Sequence, residues 1–337
     1  MKRIAFIDLT NFFGGGQKFL ISMQSYLSAK NEYFYFVRDN KTYDLIHIGT
    51  KELILTDNFL MQIKVIRHFI KLHSINIVIL NGNRPIYLAP FLPSAFSIAY
   101  KHTSNNAFKG LRKYVGVILL NLSYQFCQRV VLLYEKSRKE VLFNKQNVRI
   151  INNGVERLDI IKKSQSDITF CCVSRLDSNK GILWLIQSFH QTFPNNAKVK
   201  LLIAGDGDQY NKLKEYISIN DISNIILVGF VTNISLVLSE ANIFVLPSSF
   251  ESFPLSVLEA MSVGLPIIAT DTGGLNEMVT SNGFLVNYLD DLALKQAMLK
   301  LVNNSELMRK MGANSRNLFE QKFTIKKCVD KIQELYE

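Results

Sequence analysis

Short apolar runs alternate with longer segments of helical period along the whole chain. In the first half the runs are Ile4–Asp8, Tyr33–Val37, Ile75–Leu80, Ser97–Lys101, Arg129–Tyr134 and Arg149–Ile151. They are rich in β-branched and aromatic residues and predict strands. Helix-period stretches lie between several of them, at Gln17–Ala29, Phe59–His73 and Ala107–Phe126. The second half repeats the scheme more clearly. Its predicted strands are Ile168–Ser174, Val199–Ala204, Ile225–Val228, Ile243–Leu246, Pro266–Ala269 and Phe284–Val286. Helices are predicted at Lys180–Phe193, Tyr210–Ile219, Ile234–Ser239, Leu255–Val263 and Leu292–Val302. Such alternation implies parallel sheets wound by right-handed crossovers. Two sheets in tandem predict an α/β chain of two Rossmann-like domains. Their boundary is expected in the polar stretch Glu156–Ser166, after the Asn153-Gly154 turn, giving domains at 1–160 and 161–321.

Composition narrows the class. At 337 residues and 48% hydrophobic content the chain can bury two cores, which excludes wholesale disorder. The cysteines Cys127, Cys171, Cys172 and Cys328 have no CxxC spacing, which argues against a structural zinc site or a disulfide framework and for a reducing compartment. The most membrane-like run, Tyr114–Leu120, stops at Asn121, far short of the roughly 20 residues of a spanning helix. A cytoplasmic protein is expected, with a peripheral place on the inner face of the cell membrane left open.

Charge is uneven. Residues 1–160 carry 22 Lys+Arg against 10 Asp+Glu, a net +12, whereas residues 161–337 carry 17 against 18, a net −1. The scattered basic residues come with no nucleic-acid motif, so nucleic acid is not expected as a partner. An anionic membrane surface and a phosphate-bearing substrate both fit.

Ligands of doubly wound sheets bind beyond the carboxyl ends of the strands, so the loops there are where chemistry is sought. Gly14-Gly15-Gly16 follows the first strand and leads into a helix, an arrangement that lets backbone amides approach an anion or simply makes a tight turn. It lacks the GxGxxG spacing and the ribose-binding acid of a dinucleotide fold, which disfavours a Rossmann oxidoreductase. Arg175 and Lys180 bracket the next candidate loop and together suit a diphosphate, or are a solvated surface pair. Gly205-Asp206-Gly207 is a third such loop. After Ile243–Leu246 comes Pro247-Ser248-Ser249-Phe250-Glu251-Ser252-Phe253-Pro254-Leu255-Ser256, followed by Glu259 inside the helix. Pro254 suits a first helical position, and the free amides near Leu255 and Ser256 make an anion-friendly end. Gly273-Gly274 with Glu277 supplies another glycine-rich loop.

These elements resemble the retaining glycosyltransferases of family 4, which have the GT-B fold of two Rossmann-like domains facing across an interdomain cleft. The family's Arg–Leu…Lys–Gly segment, Gly-Asp-Gly loop, Glu–seven residues–Glu element and Gly-Gly-Glu-like turn all occur in family order over about residues 151–286. Asn153-Gly154-Val155 matches its interdomain segment. In the first half Gly14-Gly15-Gly16 and His102 correspond.

The resemblance implies roles. Arg175 and Lys180 would bind the donor's diphosphate, and Glu259 would accept from the nucleotide ribose. Glu251 would face the transferred sugar, and the amides of Phe253, Leu255 and Ser256 would hold sugar and phosphate. Gly205 and Gly207 would line the nucleotide, Gly15 and Gly16 would close on the diphosphate, and His102 would touch the sugar. A segment at about 322–337 would return to the first domain. The implied activity is transfer of a sugar, with retention, from a UDP- or GDP-linked donor to a glycan or lipid-linked acceptor of a bacterial surface polysaccharide. No cofactor and no metal are implied. The alternatives are a nucleotide-sugar epimerase or hydrolase of the same fold, and a non-catalytic nucleotide-sugar-binding protein. Lys101, Lys109, Arg112 and Lys113 bracket Phe108, Leu111 and Tyr114, an interfacial mixture that fits an anionic membrane surface.

Overall fold

The structure is a computed structural model that describes residues 1–92, 95–103, 112–160 and 167–337, with backbone alone at 112 and 113. The chain forms two compact units, one of residues 1–154 with 325–337 and the other of residues 155–324.

Among the described residues, the first unit holds strands β1 (Arg3–Asp8), β2 (Glu32–Val37), β3 (Thr50–Leu53), β4 (Ile77–Asn81), β5 (Phe96–Tyr100), β6 (Arg129–Leu132) and β7 (Val148–Ile150). They form one parallel sheet in the order β3-β2-β1-β4-β5-β6-β7. Central strands of an all-parallel sheet are covered on both faces and read as near-continuous apolar runs. Ile4, Ala5, Phe6 and Ile7 on β1 and Val78, Ile79 and Leu80 on β4 are accordingly buried. The helix Phe59–Leu72 places Ile63, Ile66 and Ile70 in the core beneath them, one face at helical spacing. The terminal helix Ile325–Gln333 belongs to this unit, where Cys328 meets the Tyr100 hydroxyl and Gln333 accepts from the Ser28 amide.

In the second unit the strands are β8 (Ile168–Val173), β9 (Val199–Ala204), β10 (Ile225–Gly229), β11 (Ile243–Leu246), β12 (Ile267–Thr270) and β13 (Gly283–Val286). Their order is β10-β9-β8-β11-β12-β13, all parallel. This is the 3-2-1-4-5-6 arrangement of a Rossmann sheet, in which the winding direction reverses between the first and fourth strands. Both sheets therefore have a switch point, at β1/β4 in one and β8/β11 in the other. Each is where crossovers leave in opposite directions and open a crevice at the strand ends.

Two elements depart from expectation. The chain forms an edge strand at β3, whose half-polar Thr50-Lys51-Glu52-Leu53 carries no apolar run. An 18-residue helix, Ser305–Lys322, packs against Leu255–Ser262 although its sequence is mostly polar. Its Gly312 sits so close to Gly264 that a methyl group there would lie 2.5 Å from the Gly264 carbonyl oxygen. The four cysteines are buried free thiols, and burial pushes those of Cys127, Cys172 and Cys328 up to about 12. No helix among the described residues is long and apolar enough to cross a membrane.

Candidate active site

In the second unit the loops leaving β8 and β11 are tied together at the switch point. Gly181 has φ +66°, and a side chain on it would drive its Cβ to 2.2 Å from the Pro247 carbonyl oxygen. Only glycine tolerates this conformation and this approach together. Beside it the amide and hydroxyl of Ser249 both donate to the Asn179 carbonyl, at 2.9 Å each. The result brings two residues 71 positions apart into contact. Lys180 Nζ lies 2.7 Å from Glu251 Oε1, and both side chains are largely buried. The buried Ser248 hydroxyl donates to the same Oε1 at 2.8 Å.

Arg175 stands on the same loop but differs in kind. Its side chain is 64% exposed and pairs with Asp177 at 2.9 Å, so it is free to turn to a ligand at little cost. The Gly205-Asp206-Gly207 loop supports it from behind. Leu176 donates to the Asp206 carbonyl at 2.8 Å, and Gln209 donates back to the Leu176 carbonyl at 3.0 Å. Gly205 and Gly207 carry φ values of +144° and +159°, and a Cβ on Gly205 would fall 1.8 Å from the Ser174 carbonyl oxygen. These glycines shape the loop that presents Arg175.

The helix Leu255–Ser262 follows Glu251. Pro254 is its N-cap, with φ −70° and ψ 124°, rather than its first helical residue, and it supplies no side-chain cap. The amides of Leu255 and Ser256 thus open the helix without a side-chain partner of that kind, an end suited to an anion. Phe253 is buried, its ring 5.7 Å from that of Phe323, and Gly274 fits against it with its amide donating to the Ser252 carbonyl at 2.8 Å. Glu259 is buried one turn inside the helix among Leu258, Ala260 and Met261. Glu277 lies on the short helix Leu275–Met278 after the Gly273-Gly274 turn.

Within the first unit the candidates gather at the other switch point. The helix begins at Gly15, and Gly16 lies against His102, so that a methyl group there would be 3.6 Å from the ring. His102 stands two residues beyond β5, stacked on Tyr100 with centroids 4.7 Å apart. Its Nε2 is 2.6 Å from Asn81 Oδ1, and burial lowers its pKa to about 4. Asp8 and Asn81, buried at the ends of β1 and β4, are functional candidates that sequence reading missed. Their signal was a polar residue closing an otherwise apolar strand.

Lys109, Phe108 and Leu111 lie outside the described residues, as do the side chains of Arg112 and Lys113. The rest of that helix, Arg112–Tyr124, exposes Tyr114, Val115, Ile118, Leu119 and Leu122.

Comparison with known proteins bears on the fold and the family. Residues 167–304 match the family model of the glycosyl transferases group 1. An uncharacterized glycosyltransferase of Methanocaldococcus jannaschii is 27% identical over 271 residues, 79% of this chain and 69% of that protein. The UDP-Gal:alpha-D-GlcNAc-diphosphoundecaprenol alpha-1,3-galactosyltransferase of Escherichia coli is 27% identical over 261 residues, 71% of this chain and 66% of that protein. The crystal structure of Anabaena HepE in complex with UDP-glucose superposes with a TM-score of 0.85 over 99% of both chains at 20% identity. Residues 167–304 thus carry the likeness to the glycosyl transferases group 1, in a chain with the two Rossmann-like domains of the GT-B fold.

Proposed function

We propose that the protein is a retaining glycosyltransferase that moves a sugar from a nucleoside diphosphate sugar to the hydroxyl of a lipid-linked glycan. The observation that carries this reading is the Lys180–Glu251 pair at the β8/β11 switch point, flanked by the exposed Arg175 cation and the helix-opening amides. As the sugar–phosphate bond breaks, negative charge grows on the diphosphate. Lys180, held by Glu251, and the amides of Leu255 and Ser256 meet that charge as groups already oriented, and the exposed Arg175 turns from Asp177 to join them. Glu251 uses Oε1 for Lys180 and Ser248, which leaves Oε2 to a hydroxyl of the transferred sugar. Glu259 accepts from the nucleotide ribose, and the loop that Gly205 and Gly207 shape lines the nucleotide. Cations and amides do the work a divalent ion would otherwise do.

The donor is read as UDP-linked because HepE is described with UDP-glucose; a GDP donor is the other outcome of the same assay. The acceptor is read as lipid-linked because the E. coli relative acts on a diphosphoundecaprenol acceptor. An anionic membrane surface fits the net +12 of residues 1–160 and the exposed apolar face of helix Arg112–Tyr124. A panel of nucleotide sugars screened by thermal stabilisation, followed by transfer to lipid-linked acceptors and NMR of the product's anomeric carbon, tests the reading. Transfer with an inverted anomer would overturn retention. Consumption of the nucleotide sugar without an acceptor would identify an epimerase or hydrolase, and binding without turnover a non-catalytic binder.

A further inference from the structure

The ends of β1, β4 and β5 are neighbours in the first sheet, with Ile7 opposite Leu80 and Asn81 opposite Tyr100. Their terminal polar residues join Gln17 in a chain in which the Gly14 amide orients Gln17 and the Asp8 carboxylate orients Asn81. The Gly14 amide can only donate, and it donates to Gln17 Oε1 at 3.0 Å. Gln17 must then turn Nε2 towards Asp8, where it donates to Oδ2 at 2.8 Å. Asp8 receives the Thr10 amide on Oδ1 at 2.9 Å and Asn81 Nδ2 on Oδ2 at 2.7 Å, so both its oxygens act as acceptors. An amide that gives its N–H to Asp8 has only its oxygen left for His102. His102 Nε2, 2.6 Å from that oxygen, must therefore carry the proton. Asp8, Gln17 and Asn81 are all at most 5% exposed, which shields the sequence of bonds from water.

The ring is also held by shape. Tyr100 stacks on it, Phe19 lies with its centroid 5.7 Å away, and Gly16 closes a further side. Among the described residues the titratable groups that face it are Tyr100 and, through Asn81, Asp8. Lys101, next in the chain, is turned to Glu140 at 2.7 Å.

We propose that Asn81, anchored by Asp8 and Gln17, is a positioning residue that locks His102 as the neutral Nε2–H tautomer and presents Nδ1 as a hydrogen-bond acceptor for a hydroxyl of the transferred sugar. The sugar half of this statement rests on the function proposed above; the tautomer half does not. A histidine held in this way accepts from a hydroxyl and does not act as a cation or a proton donor. The same bonds link it to the glycine turn, since Gly14 orients Gln17 on the shared Asp8 and Gly16 touches the ring.

Long-range 1H–15N spectra of the labelled full chain test the assignment, with the His102 signals identified by their loss in His102→Gln. The expected result is a single Nε2–H tautomer at pH 7 that stays unprotonated down to pH 5. Addition of a nucleotide sugar that the protein turns over should shift the Nδ1 resonance, and the bare nucleoside diphosphate should not. In Asn81→Leu the ring should become a mixture of tautomers, and kcat for sugar transfer should fall about tenfold or more while affinity for the bare nucleoside diphosphate holds. An Nδ1–H ring or an imidazolium at pH 7 in the wild-type protein overturns the proposal whether or not the variant folds. So does an Asn81→Leu protein with an unchanged ring and unchanged kcat. An Nε2–H ring in a protein that turns over no nucleotide sugar would uphold the positioning role and sink the transferase reading instead.

Discussion

Lys180 and Glu251 form a largely buried ion pair at 2.7 Å, although the residues lie on loops after two different strands. Neither is redundant to the fold. Removing one partner leaves the other buried and uncompensated, which costs about 3 kcal/mol or more. Lys180→Ala and Glu251→Gln should therefore each lose stability, and the double variant should lose less than the sum. Urea unfolding of the three proteins measures this. Strictly additive losses would mean that the two groups do not compensate one another in solution.

Arg175 should behave in the opposite way. Its exposed side chain contributes little to the fold, so Arg175→Ala should change stability by less than about 0.5 kcal/mol. If it meets the leaving diphosphate, the same variant should lose about 2–4 kcal/mol of transition-state stabilisation, a drop of roughly 30-fold to 1,000-fold in kcat/KM. Near-normal transfer by Arg175→Ala would remove it from the diphosphate site.

How far this site was legible in the sequence depended on distance along the chain. Arg175, Lys180 and Glu251 could be picked out because each lies on a loop after a strand that its own apolar run announces, and Glu259 because it interrupts the apolar residues Leu258, Ala260 and Met261 of the next helix. The Lys180–Glu251 bond could not, because nothing local says that Gly181 and Pro247 approach closely enough to exclude a methyl group. The chain from Asp8 through Asn81 to His102 was hidden for the same reason: its members are 73 and 21 positions apart. Edge strand β3 was missed because a strand with one open side needs no apolar run. Helix Ser305–Lys322 was missed because it buries only Gly312, Ser315 and Phe319, too few apolar positions to announce a helical stripe.

The glycines differ in what a side chain there would meet. Gly205→Ala would set a methyl group against the Ser174 carbonyl and strain a φ of +144°, at a cost of at least about 2 kcal/mol. Gly15→Ala meets nothing within 4 Å and should fold with wild-type stability. If an anion approaches that turn, Gly15→Ala should nonetheless weaken donor binding, measured by calorimetry. Full donor affinity in a normally folded Gly15→Ala would leave Gly15 as a simple turn residue.

The two glutamates separate by partner. Glu259→Gln should mainly lower affinity for the bare nucleoside diphosphate, because its proposed partner is ribose. Glu251→Gln should keep that affinity and lose turnover. Equal loss of affinity in both contradicts the division. Transfer by the wild-type enzyme should also persist in EDTA, and inhibition reversed by magnesium would show that cations of the protein do not suffice.

The exposed face of helix Arg112–Tyr124 gives the membrane reading its sharpest test. Tyr114, Val115, Ile118, Leu119 and Leu122 are all more than 40% exposed, whereas Leu120 and Tyr124 on the opposite side are buried. A solvated helix in a soluble domain normally shows polar residues on this side, so the apolar face and the net +12 of residues 1–160 suit a lipid interface. Each basic residue near an anionic surface contributes about 1 kcal/mol, which binds reversibly and weakens with salt. Liposomes with anionic lipid should retain the protein at low salt and release it as salt rises. Ile118→Glu with Leu122→Glu should abolish retention while leaving stability and affinity for the soluble donor unchanged, because both side chains already stand in water. Retention that ignores lipid charge and these two substitutions would place the membrane contact elsewhere.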